Sequence, residues 1–254
     1  MMRRLFTPLF MAWGMFSAIP CPCRLWDESR RGAMLFWLPA LGLLHGLIWY
    51  LAALALRTLL GGGLLMAAVL CLLPWLTSGG IHLDGYMDCC DAIFSRRDLE
   101  GRRRILKDSH VGAFAVIGMV GLGILQFASL AEIRSEQNLL PLLLIPAAVR
   151  ACSVLAICFV PALPTSGYAG ESRSAQGLHS GAAVLLMLAV AVLLPIFLCG
   201  MAGISVMIAG LGSGLTLFWC ARDLRGMSGD ISGCGITVGE LCGVLALALL
   251  PVCG

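Results

Sequence analysis

Asp84, Asp88 and Asp91 stand at i, i+4 and i+7 in the stretch that runs from Thr77 to Ala92. A helix there would project all three carboxylates from one face, within about 60° of each other. Like charges on one stripe repel unless a cation lies between them. Hard oxygen ligands at the edge of an apolar run suit Mg²⁺, which keeps waters and shares its coordination with substrate phosphates. The plain alternative is a solvated acidic helix face. The stripe holds three of only 14 acidic residues and directly abuts an apolar run, which favours the metal.

Basic residues follow, in Arg102-Arg103-Arg104-Ile105-Leu106-Lys107-Asp108-Ser109-His110. Such a cluster can anchor the next span on anionic headgroups or clamp phosphates that a metal polarises. Both uses stay open for Arg102 and Arg103. Arg104 and Lys107, at i and i+3, share a helix face and suit phosphate contact. A third element runs from Arg222 to Asp230, where Gly226 and Gly229 permit a tight loop. Asp230 and Glu240 would return carboxylates to the face of the stripe. Arg150 and Glu240 lie inside apolar runs, where a charged side chain is a functional candidate. An ion pair between those two is the structural alternative. His82, just before the stripe, is either a general base or a packing residue.

Positioning these groups falls to an unusually apolar chain. Of 254 residues 59% are hydrophobic and 12% charged, with a mean hydropathy of +0.94. Soluble domains are about 45–50% apolar and about 25% charged, so a soluble enzyme, a disordered chain and a secreted disulfide scaffold are disfavoured. The 17 basic against 14 acidic residues give no case for nucleic-acid binding. The expected fold is all-α, a polytopic integral membrane bundle forming a single catalytic domain over 1–254.

A span needs about 20 apolar residues. Candidates are Leu35–Leu56, Gly61–Ile81, Val111–Ala131, Leu139–Leu163, two spans within Gly181–Ala221 reversing near Gly200–Gly203, and Ile231–Cys253. That makes about seven, preceded by a short N-terminal helix, Leu5–Ile19, expected to be interfacial or re-entrant rather than a cleaved signal peptide. With residues 1–34 cytoplasmic, the segments 1–34, 82–110, 164–180 and 222–230 share one face. They carry all the basic residues except Arg57, Arg134 and Arg150, a strong positive-inside asymmetry. Gly42-x-x-x-Gly46 and Gly210-x-Gly212-x-Gly214 read as helix-packing positions. The twelve cysteines form no C-x-x-C pair and mostly lie in apolar runs, so they read as reduced packing residues.

The string Gly79-Gly80-Ile81-His82-Leu83-Asp84-Gly85-x-x-Asp88-x-x-Asp91, then Lys107-Asp108-Ser109-x-x-Gly112, then Ser228-Gly229-Asp230 and Glu240, resembles the cobalamin synthase family of adenosylcobinamide-GDP ribazoletransferases. The resemblance begins at Ile19-Pro20-x-Pro22 and covers essentially the whole chain. Departures are Ala92 where the family usually has Gly, Ala18 where an Arg is common, Ser228 for Thr, and Arg225 for Gly. None removes a carboxylate.

The resemblance implies transfer of the cobinamide-phosphate part of adenosylcobinamide-GDP to α-ribazole or its 5′-phosphate, with release of GMP. It implies Mg²⁺ held by Asp84, Asp88 and Asp91, with Asp230 and Glu240 supporting that ion or a second one. Arg104, Lys107, Arg150 and Ser228 are then phosphate contacts, and His82 is a candidate base. The expected setting is the cytoplasmic membrane of a bacterium or archaeon, active site on the cytoplasmic face, with lipid as solvent and self-association allowed. Two rival readings are a CDP-alcohol phosphotransferase, whose Asp-Gly-x-x-Ala-Arg run is absent here, and a non-enzymatic transporter built around Arg150 and Glu240.

Overall fold

The computed structural model describes residues 2–164 and 194–251, and every regular element among them is a helix. In chain order these are α1 (Met2–Phe16), α2 (Arg31–Leu35), α3 (Leu38–Leu60), α4 (Leu64–Thr77), α5 (Ile81–Phe94), α6 (Leu99–Ile105), α7 (Ala113–Ala131), α8 (Pro141–Phe159), α9 (Leu194–Cys199), α10 (Ile204–Leu224) and α11 (Gly229–Leu249). Two short 3₁₀ turns lie at Glu28–Arg30 and Gly200–Gly203. Residues 162 and 227 form an isolated parallel bridge.

Five segments are long and apolar enough to cross a bilayer: Leu38–Leu60, Ala113–Ala131, Pro141–Phe159, Leu194–Leu224 and Gly229–Leu249. A sixth counts only if α4 and α5 are taken together, and these meet at 90°. Five or six spans thus lie among the described residues, against about seven expected over the whole chain. The first span expected within Gly181–Ala221, the segment 165–180 with Arg173, and Cys253 lie outside the described residues. At Gly200–Gly203 the chain turns, within a stretch, Leu194–Leu224, that counts by length and composition as one span. Gly200 has a φ of +56°, and Gly203 abuts the Pro195 carbonyl with no room for a Cβ, so α9 folds back on the start of α10.

The 90° elbow has a local cause. Gly79 and Gly80 adopt φ of +67° and +78° in succession, a conformation that side chains with a Cβ resist. The apolar run Gly61–Ile81 therefore does not continue straight. Its helix stops at Thr77 and a new one leaves at right angles, carrying the aspartates.

α8 and α11 form the buried centre, since most of each helix is inaccessible. The Gly42-x-x-x-Gly46 pair lets α3 meet α8 backbone to backbone: a Cβ on Gly42 would lie 2.5 Å from the Pro146 oxygen, and Gly46 packs on Leu143. The N-terminal helix is part of this assembly rather than a loose appendage. Met11, Ala12 and Phe16 are buried in the core, and the Trp13 indole donates to the Ile19 carbonyl at 2.9 Å.

Candidate active site

α5 presents Asp84 exposed and Asp88 and Asp91 half-buried on one face. Its opposite face packs against α11 at a close crossing. A Cβ on Gly85 would lie 2.7 Å from the Asp230 carbonyl oxygen and 2.8 Å from its Cα, and one on Gly233 would lie 2.9 Å from the His82 oxygen. These two contacts bring Asp230, at the start of α11, beside the stripe. Asp88 lies within electrostatic reach of Asp84, Asp91 and Asp230, and Asp230 within reach of Asp84. Four carboxylates thus converge at one end of the bundle.

Asp230 is held by its own helix terminus. The Ser228 hydroxyl oxygen accepts from the Ile231 amide at 3.2 Å, capping α11, and the hydroxyl contacts Asp230 Oδ2 at 3.3 Å. The loop before it is pinned to the end of α8 by Leu163 N to Met227 O and Met227 N to Pro161 O, both 2.8 Å. Ser228 therefore orients a carboxylate.

Asp91 does something the spacing alone does not reveal. Its two oxygens accept from the Gly112 amide at 2.6 Å and the Ala115 amide at 2.9 Å, which caps α7 from a neighbouring helix. A Cβ on Gly112 would lie 2.5 Å from Asp91 Oδ1, so the glycine of the Asp108-Ser109-x-x-Gly112 string is needed for the carboxylate to reach the amides.

The basic cluster divides. Arg102 pairs with Asp223, while Arg103 Nε donates to the Leu224 carbonyl at 2.9 Å and Nη2 to the Arg225 carbonyl at 3.1 Å. Both arginines therefore fasten α6 to the C-terminus of α10, whose last carbonyls Arg103 satisfies. This is neither headgroup anchoring nor phosphate clamping. Arg104 and Lys107 are exposed, and their side chains have no hydrogen-bonding or ion-pair partner among the described residues. In the loop to α7, Asp108 accepts from the His110 amide at 3.1 Å and from Nδ1 at 2.6 Å. These bonds, side-chain bond foremost, hold Asp108 below its ordinary pKa and His110 above its own.

Three residues assigned to the site lie elsewhere. His82, two residues before Asp84, points about 200° away from it around the helix. It is buried and stacked on Phe16 at 6.3 Å, facing the interior. Arg150 and Glu240 are buried against each other: Arg150 Nη1 donates to Glu240 Oε1 at 3.0 Å and to the Pro146 carbonyl at 2.9 Å. Glu240 sits ten residues beyond Asp230, about 15 Å further along α11. The structure therefore does not bring His82, Arg150 or Glu240 to the carboxylate cluster. Arg150 Nη2 meets His45 Nδ1 at 3.3 Å, and His45 Nε2 meets the Ser17 hydroxyl at 3.0 Å. Ser17 in turn bonds the Thr77 carbonyl at 3.3 Å. This buried chain ends at the α4–α5 elbow and braces it.

A family model described as cobalamin-5-phosphate synthase matches residues 8–248. The chain belongs to the cobalamin-5-phosphate synthase family. Among its relatives, a protein of Clostridium botulinum (strain Alaska E43 / Type E3) named adenosylcobinamide-GDP ribazoletransferase is 33% identical, over 98% of this chain and 99% of its own. A protein of the same name from Clostridium perfringens (strain 13 / Type A) is 33% identical over 98% of this chain and 100% of its own. Another, from Desulforamulus reducens, is 32% identical over 90% and 91%. No solved structure matches the chain. Membership of the cobalamin-5-phosphate synthase family favours neither the CDP-alcohol phosphotransferase nor the transporter reading.

Proposed function

We propose that this protein transfers the cobinamide-phosphate group of adenosylcobinamide-GDP to α-ribazole or its 5′-phosphate and releases GMP. The observation that carries the reading is the convergence of Asp84 and Asp88 with Asp230, in a chain whose full-length relatives bear that enzyme's name. Related chemistry at a pyrophosphate needs charge neutralised on phosphate, cations for the leaving nucleotide, and an acceptor for the hydroxyl proton.

The donor set fits Mg²⁺. It consists of hard carboxylate oxygens at the rim of the bundle, with Asp84, Asp88 and Asp230 making few protein bonds of their own. Asp84, Asp88 and Asp230 would hold the ion, and Asp91, whose oxygens already serve α7, would shape the site from behind. A bound Mg²⁺ supplies Lewis-acid neutralisation of the pyrophosphate. Arg104 and Lys107 bind the nucleotide phosphates that leave. A carboxylate of the cluster takes the proton of the attacking ribose hydroxyl, since His82 faces the interior. As that hydroxyl oxygen bonds to the phosphorus attached to cobinamide, the bond to the bridging oxygen breaks and GMP departs.

The lysine- and arginine-rich segments 96–107 and 222–225 meet at this end through Arg102 and Asp223, which supports a cytoplasmic orientation in an inner membrane. The test is GMP release by purified protein given adenosylcobinamide-GDP, α-ribazole and Mg²⁺. No release with either form of ribazole would overturn the assignment. An impermeant thiol reagent added to intact cells should fail to label Glu100→Cys in a cysteine-free background, and labelling from outside would reverse the orientation.

A further inference from the structure

Three of the twelve cysteines meet. Cys89 of α5, Cys220 of α10 and Cys234 of α11 place their sulfurs within 4.8 Å of one another, with 4.0 Å between Cys220 and Cys234. All three are deeply buried, at 1%, 0% and 5% exposure. They come from three separate helices, and Leu217, Leu224, Ile231 and Ala92 belong to the same core cluster. A thiol packed as a small hydrophobe needs only apolar neighbours. Here the sulfurs turn towards each other.

The distances decide what such a group suits. Metal–thiolate bonds are about 2.3 Å, so three sulfurs around a cation in a plane stand about 4.0 Å apart, and in a tetrahedron about 3.8 Å. The Cys220–Cys234 separation equals the planar value, and the Cys89 sulfur lies within 4.8 Å of both. Among the described residues no other His, Cys, Asp or Glu atom joins the group. Structural zinc is almost always four-coordinate, whereas soft thiolates select Cu(I) as well as zinc.

We propose that Cys89, Cys220 and Cys234 form a three-thiolate site for a thiophilic d¹⁰ cation, with Cu(I) preferred over Zn(II). The site lies one residue from Asp88 and one turn beyond Asp230, on the far side of α5 from the stripe. It fastens α5 to α11, the two helices that supply the carboxylates, and to α10, to which Arg102 and Arg103 attach. Its ligands are sulfur, so it discriminates against Mg²⁺ by chemistry rather than by size.

The test uses full-length protein in detergent, reduced and stripped of metal, in a Cys21→Ser/Cys23→Ser background that removes the more exposed thiols. Cu(I) is offered as a chromophoric chelate, and Zn(II) in a parallel arm as its own chelate. One equivalent of Cu(I) should leave the chelator, with an ultraviolet thiolate-to-copper charge-transfer band and a higher thermal midpoint. Cys220→Ser should weaken binding more than about 100-fold, beyond the loss of an outer-shell partner. Cys158→Ser, a buried cysteine outside the trio, should bind as before. Cys234→Ala supplies a second ligand deletion, and helical circular dichroism with monodisperse elution establishes that each variant is folded. The proposal fails if the background protein withdraws no Cu(I), or if binding survives both ligand deletions. Withdrawal of Zn(II) in preference to Cu(I) overturns the three-coordinate assignment.

Discussion

The Asp91 carboxylate, on α5, closes the N-terminus of α7 by accepting from the Gly112 amide at 2.6 Å. A residue of the acidic stripe is therefore also the cap of the next span. Asp91→Asn keeps one acceptor oxygen but loses the charge that faces the helix dipole. It should lower stability by about 1 kcal/mol or more, because one of the two amides is left without an acceptor, as well as slowing turnover. Asp84→Asn should slow turnover with no change in stability. Thermal unfolding in detergent, read beside GMP release, separates the two, and equal stability losses would remove the capping role.

Asp88 is the sharpest test of the carboxylate cluster. Asp88→Asn preserves size and removes charge, so the helix should survive while Mg²⁺ affinity falls. A loss of two orders of magnitude in GMP release corresponds to about 2.7 kcal/mol of transition-state stabilisation. Asp98→Asn is the control. Asp98 caps α6 by accepting from the Gly101 amide at 3.0 Å, and Asn caps about as well as Asp, so turnover should be unchanged. Near-normal release by Asp88→Asn at limiting Mg²⁺ would dissolve the metal assignment.

Arg150 and Glu240 form a pair with side chains only 2% and 7% exposed. Deleting one partner strands a buried charge, at a cost of about 3–5 kcal/mol. Arg150→Leu should therefore be strongly destabilising, and the double variant Arg150→Leu/Glu240→Leu should recover much of the loss. Since the chain from Arg150 through His45 and Ser17 ends at the elbow, the double variant should still lose activity while folded. Full activity in it would show that the brace is dispensable.

The Asp108–His110 contact carries a pH dependence outside the membrane-spanning helices. His110 is raised above 6.5 and Asp108 lowered below 3.8, each chiefly by the hydrogen bond between them. The support this gives the loop is fully present between those two reference values. It is lost as pH rises through the raised His110 pKa, and again as pH falls through the lowered Asp108 pKa. Nuclear magnetic resonance titration of the His110 ring should show a midpoint above 6.5 that falls towards it in Asp108→Asn. An unchanged midpoint would break the link.

Much of this site could be read from residue order. The stripe follows from helical spacing, and Ser228 and Asp230 announce a helix start, because those signals are local. What escaped the sequence depends on partners far apart in the chain. Arg102 meets Asp223 across 121 residues, and one-dimensional spacing carries no signal of it. The Arg150–Glu240 pair, across 90 residues, is legible only as an alternative to a role in the site. His82 adjoins the motif in sequence but turns to the other side of the helix. The three sulfurs show no C-x-x-C signature, since each comes from a different helix. The elbow hid inside an unbroken apolar run, although two successive glycines marked it. Gly112 could have been found from its place just before an apolar span, where a helix start needs an acceptor.

That elbow has a consequence for the lipid. As the crossing limb before the bend, α4 has 14 residues, or about 21 Å of helix, against a hydrocarbon core of about 30 Å. A helix that short draws the nearby leaflet inwards, or leaves a water-filled dent above it. α5 would then start below the headgroup plane, with its carboxylates lining the wall of a depression rather than a flat surface. Catalytic rate in reconstituted vesicles should therefore track acyl-chain length, with thinner bilayers relieving the mismatch and thicker ones burying the approach.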